Sequence, residues 1–343
     1  MAGAAALAAL ISALFLWSDV IEGQAHYQPE YPQTDLTSIL QKEEAHLTKD
    51  DYKTLLVQTG VGAAAVGQLW RDGRKEELLQ HQQNFFRPIA VKCLRHNLFT
   101  SGEYAVNSAG EKVQEAKLVP LQAGDILITP CSHFFGWRNG HAGIVVEPPV
   151  VDASGDIISD GMVLESVTVG VNSRLRRLER WESYPAFVVL RLRGSEASDV
   201  GRGAAILARQ CFYDVPYQLL TGLWEEPWQP SFPVPKLLPA IEAAAVAEES
   251  AGAKRLEASV QETASAWEQE LRFWAEAQEK SKGTQCAHLI WSCYRALGYD
   301  LDSDGGRIVT PRDLMESPLL QVVQIYGINP MEFETASAKL PSR

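Results

Sequence analysis

The chain has 343 residues, of which 46% are hydrophobic and 22% charged, the balance of a globular protein long enough for one large domain or two modest ones. A formal net charge of −12, with no basic block to meet phosphates, excludes nucleic acid as a principal partner. The most basic short run, "RLRRLER" from Arg174 to Arg180, lies beside strand-like sequence and reads as a solvated face.

At the N-terminus, "AAALAALISALFLW" (Ala4 to Trp17) is an apolar run below the roughly 18 residues of a membrane span. It resembles the apolar core of a secretory signal, and Gly23-Gln24-Ala25 offers small residues where a signal peptidase reads, although no Lys or Arg precedes the run. Residues 1–25 are therefore expected to be a signal-like leader, with an extracellular or cell-envelope destination. An anchor left uncleaved would be the chain's route to a membrane, and a buried helix of a cytoplasmic protein is the plainer alternative.

From residue 26 to 88 the pattern is mainly helical: Thr48 and Asp51 form a capping-box start, with Tyr52, Leu55 and Leu56 on the apolar face behind it. The pattern then changes. "IAVKCL", "GDILIT", "AGIVVE", "MVLESVTV" and "AFVVLRL", between residues 89 and 192, are short strand-like runs separated by Gly, Pro, Asn and Asp. "VGRGAAILARQCF" (Val200 to Phe212) returns to helix. A stretch of different character, about 224–282, reads as an insertion: a Pro- and Trp-rich loop, "WEEPWQPSFPVP", followed by an Ala/Glu-rich helix. That helix carries Leu256, Val260, Ala264, Trp267, Leu271 and Trp274 on one stripe. The stripe must be buried somewhere, either on the body of the domain or over a substrate cleft.

Five cysteines are an odd number, so an exported form keeps at least one unpaired thiol. No CxxC occurs. Cys131-Ser132-His133 and Cys286-Ala287-His288 are C-x-H pairs, a spacing that zinc sites do not use, and residues two apart on a helix diverge, so neither a metal nor a cofactor is expected. Asp300, Asp302, Asp304 and Gly305 open like a calcium loop, but the twelfth position is Pro311 in place of a bidentate Glu; the run reads as a polar turn leading to a helix with Thr310 as N-cap, Pro311 at N1 and Asp313 at N3.

Cys286 opens an amphipathic helix in which Ile290, Cys293, Tyr294 and Leu297 recur at helical spacing and Gly298 ends the pattern. A thiol there feels the positive end of the helix dipole and free backbone N–H groups, which favour thiolate; the ordinary alternative is a small core side chain. In "NGHAGIVVE", His141 starts a strand and shares a face with Gly143 and Val145, so the glycine leaves room beside the imidazole. In "MVLESV", Glu165 interrupts an apolar run and shares a face with Val163 and Val167. Singly, His141 reads as a strand-end histidine and Glu165 as a surface carboxylate on an edge strand. Together they supply a thiol nucleophile, its base and a group to orient the base.

The ordered set "GDILIT … NGHAGIVVE … VLESVTVGVNSRLRRLERW … VPYQLL … CAHLIWSCYRALGYD … IVTPRDL", over about residues 118–320, resembles the circularly permuted, YiiX-like branch of the NlpC-type, papain-like cysteine hydrolases. As in that branch, the His strand precedes the Cys helix. The resemblance implies an α+β fold across 89–343: an antiparallel sheet packed on the nucleophile helix, with the N-terminal helical region and the insertion added. It implies Cys286 as nucleophile, His141 as general base and Glu165 as its orienting residue. The activity implied is thiol-dependent hydrolysis of an amide in cell-wall peptide, with peptidoglycan as the polymer. An acyl hydrolase or acyltransferase acting on lipid-linked or other small acyl substrates is the second reading, and a non-catalytic envelope-binding module the third. Two departures bear on the oxyanion hole: Ala287 stands where the family often has Ser, and Gln285 where Tyr is common. Gln285 and Tyr217 are the candidate donors beside the Cys286 backbone N–H.

Overall fold

The computed structural model describes residues 25–97, 100–134, 136–151, 157–223, 226–237, 253–306 and 308–337, together with residue 241 and parts of 3–13. Most of the leader, including Gly23 and Gln24, lies outside the described residues. Among those described, no helix is long and apolar enough to cross a membrane.

Among the described residues, twelve strands and nine α-helices make an α+β fold with antiparallel sheets. The principal sheet has six strands in the order β10-β9-β6-β3-β11-β12: β3 (Ile126–Thr129), β6 (His141–Glu147), β9 (Met162–Glu165), β10 (Arg174–Arg177), β11 (Phe187–Leu192) and β12 (Leu320–Tyr326). Each pair in it is antiparallel. A second sheet, β1-β2-β4-β5, is built from β1 (Ala90–Arg95), β2 (Thr100–Val106), β4 (Ser132–Phe134) and β5 (Trp137–Arg138), and β7 (Val150–Val151) pairs with β8 (Ile157–Ser159) as a small ribbon.

Alternation along the strands divides the core into two layers. Ala142, Ile144, Leu164, Val188 and Leu190 face helices α4 (Ala197–Phe212) and α6 (Cys286–Ala296). Val145, Val163, Leu127 and Val189 face the opposite way, toward the N-terminal region of α1 (Lys49–Thr59), α2 (Ala63–Arg71) and α3 (Glu77–Phe86). The capping box at Thr48 and Asp51 forms as the sequence predicts. This region does not stand apart: Leu55, Val66 and Leu69 share one core with Val323 and Tyr326 of β12, and Val61 bridges to Gln324. Because "QVVQIY" becomes the edge strand of the principal sheet, the C-terminal segment is more than the tail that its position suggests.

The helix of the insertion, α5 (Ala253–Glu276), packs on α4. Its buried row is Ala264, Trp267, Leu271 and Ala275, whereas Trp274 is 39% exposed to one side, its ring against Phe232. This corrects the predicted stripe, whose Leu256 side chain, like residues 224–225 and 242–252, lies outside the described residues. Trp267 seats where α4 has no side chain: a Cβ on Gly203 would lie 2.4 Å from the indole, 3.1 Å from Leu271 and 3.2 Å from Leu297. Its Nε1 donates to the Pro235 carbonyl at 2.7 Å. Leu297 follows the C-terminal end of α6, so the stripe docks near the end of that helix remote from Cys286. Trp267→Ala should cost about 3–5 kcal/mol by urea denaturation, while the alkylation rate of Cys286 stays within about twofold of the parent; a larger change in that rate would place the insertion over the site.

Candidate active site

Three element ends meet at one end of the principal sheet. β6 begins with His141, the antiparallel β9 ends with Glu165, and α6 begins with Cys286. Register fixes the first two: Glu165 pairs with Gly143, one step along the same face from His141, which makes His141 and Glu165 diagonal neighbours. All three are withdrawn from solvent, with exposures of 8% for Cys286, 4% for His141 and 1% for Glu165. β9 lies between β6 and β10, so Glu165 is an interior residue and not the edge-strand carboxylate of the plainer reading. The strand also stops at Glu165 instead of running through "SVTV", and Val169 is 58% exposed.

The helix entry is tightly specified. Gln285 is the N-cap of α6: its side-chain oxygen accepts from the Ala287 backbone N–H at 2.9 Å and lies 3.4 Å from the Cys286 sulfur. Its amide nitrogen donates to the Val309 carbonyl. The Gln285 side chain is thus occupied in capping, which removes it as the first choice for an oxyanion donor. Tyr217 is placed by a parallel bridge to Thr284, with Gln218 N–H on the Thr284 carbonyl at 2.8 Å and Thr284 N–H on that of Pro216 at 3.0 Å. Burial, and then the Cys286 sulfur beside it, push the Tyr217 phenol well above its usual range, keeping it a donor at neutral pH.

His141 is a charged group in a buried place. Burial alone would lower its pKa, but interaction with the Cys286 sulfur and the Glu165 carboxylate outweighs it and pushes the imidazole up to about 9. Its Nε2 lies 3.6 Å from Glu165 Oε1, a charge contact longer than a hydrogen bond. Burial would raise Glu165 in turn; the His141 contact, then Arg180 and Arg176, hold it below the usual carboxylate range.

The arrangement depends on a residue that sequence reasoning missed. Trp181, fully buried, donates from Nε1 to Glu165 Oε1 at 2.8 Å while its ring stacks on His141 with centroids 5.8 Å apart and planes 15° from parallel. One indole therefore holds both the Glu165 carboxylate and the His141 imidazole. The second carboxylate oxygen faces Arg180 at 3.4 Å and Arg176 at 3.8 Å. So "RLRRLER" is only half a solvated face: Arg174 and Arg177 are exposed, whereas Arg176 and Arg180 turn inward. The available signal was the Trp at the end of "RLERW". Gly143 is corrected as well. The space beside His141 is occupied by Trp181, because a Cβ at Gly143 would lie 2.5 Å from Val163, 3.2 Å from Trp181 and 3.3 Å from Glu165.

A second Cys/His/Glu set lies in the smaller sheet but has a different character. Glu103 Oε1 contacts His133 Nε2 at 2.8 Å and Arg138 at 2.6 Å, and its other oxygen accepts from the Ala25 N–H at 2.6 Å. Cys131 nearby is fully buried, donates to the Ala186 carbonyl, and is pushed up to about 12 by burial. Burial likewise takes Cys211 to about 12 and raises Cys293 well above its usual range. Cys93 is exposed, and no disulfide links cysteines among the described residues. A cavity of about 500 Å³ beside the entry to α6 is bordered by Trp228, Gln278, Lys282, Gly283 and His288, so the two ends of the insertion, not its stripe, approach the site.

No protein-family model, curated protein or solved structure matches this chain.

Two outcomes follow from the geometry. Gly143→Ala should displace Trp181 and Glu165 and slow iodoacetamide labelling of Cys286 by about tenfold or more; an unchanged rate would mean the indole is not needed. The folded-state pKa of His141 lies above its ordinary 6.5, so its protonated form contributes stability fully below about pH 6.5, and that contribution is lost as pH rises through about 9. The stability advantage of the parent over His141→Gln should shrink across that window, and a pH-independent difference would contradict the charged imidazole.

Proposed function

We propose that the chain is a thiol hydrolase that forms an acyl-enzyme on Cys286, with His141 as general acid–base and Glu165 as its orienting residue. The supporting observation is the convergence of residues 141, 165 and 286, from three separate elements, in one buried, charge-compensated cluster. In this reading the six-stranded antiparallel sheet and α6 form a permuted, papain-like core.

The Cys286 sulfur, at the helix N-terminus and beside the His141 imidazolium, attacks the acyl carbon. The carbonyl oxygen takes the charge, stabilised by the Cys286 backbone N–H and the Tyr217 hydroxyl. As the C–N bond breaks, the proton on His141 passes to the departing amine. Water then gives a proton to His141 and adds to the thioester, whose C–S bond breaks to release acid and restore the pair. Glu165, fixed by Trp181, keeps the imidazole aimed throughout. The bond proposed is an amide in cell-wall peptide, the substrate class that the permuted NlpC-type resemblance implies, and the apolar run at residues 4–17 fits an envelope location.

The test is intact and peptide mass spectrometry after exposure to activated acyl esters at about pH 6, where an ordinary exposed thiol is almost wholly protonated. The expected adduct is one acyl group on Cys286, absent in Cys286→Ala and formed about 10²–10⁴ times more slowly in Glu165→Gln. Equal labelling of Cys93, or an unimpaired Glu165→Gln, would sink the proposal.

A further inference from the structure

The loop after α6 gathers carboxylates that nothing in the proposed chemistry uses. Asp302, Asp304 and Asp313 each offer an oxygen, and the three lie within 4.8 Å of one another. Two oxygens on one calcium ion, each at 2.3–2.6 Å, can be at most about 5 Å apart, so the spacing suits a single shared cation. Asp302 makes the cluster more than a surface acidic patch. It is only 6% exposed, and its Oδ2 is a buried atom with no hydrogen-bond partner. That oxygen points into the cluster: a Cβ built on Gly306 would sit 3.6 Å from it and 2.9 Å from Asp304 Oδ1. Burying an ionised oxygen without a partner is costly, and the ordinary remedy is a counter-charge. None of the three aspartates forms a salt bridge among the described residues; the nearby Arg312 is committed to Glu316 at 2.8 Å.

We infer that Asp302, Asp304 and Asp313 form a calcium-class cation site in the loop between α6 and α7 (Pro311–Glu316). The sequence spells a calcium loop through Asp300, Asp302, Asp304 and Gly305 and then departs from it, with Pro311 at the twelfth position. The fold brings in Asp313 from two residues further on. Asp313 keeps one oxygen on Thr310 as part of a capping box and has the other to offer. Bound there, a cation would fix the segment that carries Val309, whose carbonyl holds the Gln285 side chain at the cap of α6. The site is structural, independent of the acyl chemistry, and bears on it only through that cap.

The structure supplies its own reporter. Trp291 Nε1 donates to Asp300 Oδ1 at 2.7 Å, so its indole is in place to sensitise a lanthanide in the loop. Titrating the full chain with terbium should give saturable, tryptophan-sensitised luminescence that excess calcium displaces. Asp302→Asn and Asp304→Asn should each weaken terbium binding by about tenfold or more, since affinity follows ligand charge. Asp304 is exposed, so its variant should retain the parent's circular dichroism. Trp291→Phe should lose the luminescence yet keep the calorimetric signal of calcium binding. Absent luminescence in the parent, or titrations that coincide for the parent and both Asn variants, would overturn the inference, the latter by assigning the lanthanide to the acidic surface at large.

Discussion

A fully buried carboxylate that stays ionised is the constraint on which the rest of the site depends. Glu165 has lost its water, and ionisation there would cost several kcal/mol without fixed partners. The fold provides four: the Trp181 indole N–H, the Arg180 and Arg176 guanidinium groups, and His141. Burial, and then the Arg180 charge, push Lys112, which lies over the Tyr104 ring at 3.5 Å, down to about 8. The compensated carboxylate in turn lets an imidazole beside it remain charged while buried, next to the Cys286 sulfur at the helix N-terminus.

The geometry follows from antiparallel pairing. β6 and β9 run in opposite directions, so the first residue of one and the last of the other lie at the same end of the sheet. Gly143 occupies the register position between His141 and Glu165, and its missing side chain admits the indole that ties them together. α6 packs on the opposite face, and its first residue reaches the sheet end where the imidazole waits. Small shifts in any of these elements would separate charges that have no water to fall back on.

How much of this could be read from the sequence differs by kind of residue. Cys286, His141 and Glu165 were legible because each breaks a local pattern: a thiol at a helix start, an imidazole at a strand start, a carboxylate in an apolar strand. The α+β class was legible from the change of hydrophobic period near residue 89. Trp181 was not, since it sits in a short 3₁₀ segment, Leu178–Ser183, where no periodicity marks which way a side chain turns. Arg176 and Arg180 were misread for a related reason. A run of basic residues looks solvated unless the buried acid across the strand pair is known, and Arg176 pairs with Val163 in a register that only the folded sheet defines. β12 was lost in the C-terminal segment because a strand at a sheet edge needs its neighbour, β11, to be recognised.

The central claim is that Glu165 and Cys286 together hold His141 protonated in a buried site, and the direct measurement is an NMR titration of the His141 ring. The account predicts an imidazole that titrates near 9 in the parent and falls by more than about one pH unit in Glu165→Gln, where the carboxylate charge is gone. A ring that titrates at or below the ordinary 6.5, and is indifferent to Glu165→Gln, would contradict it.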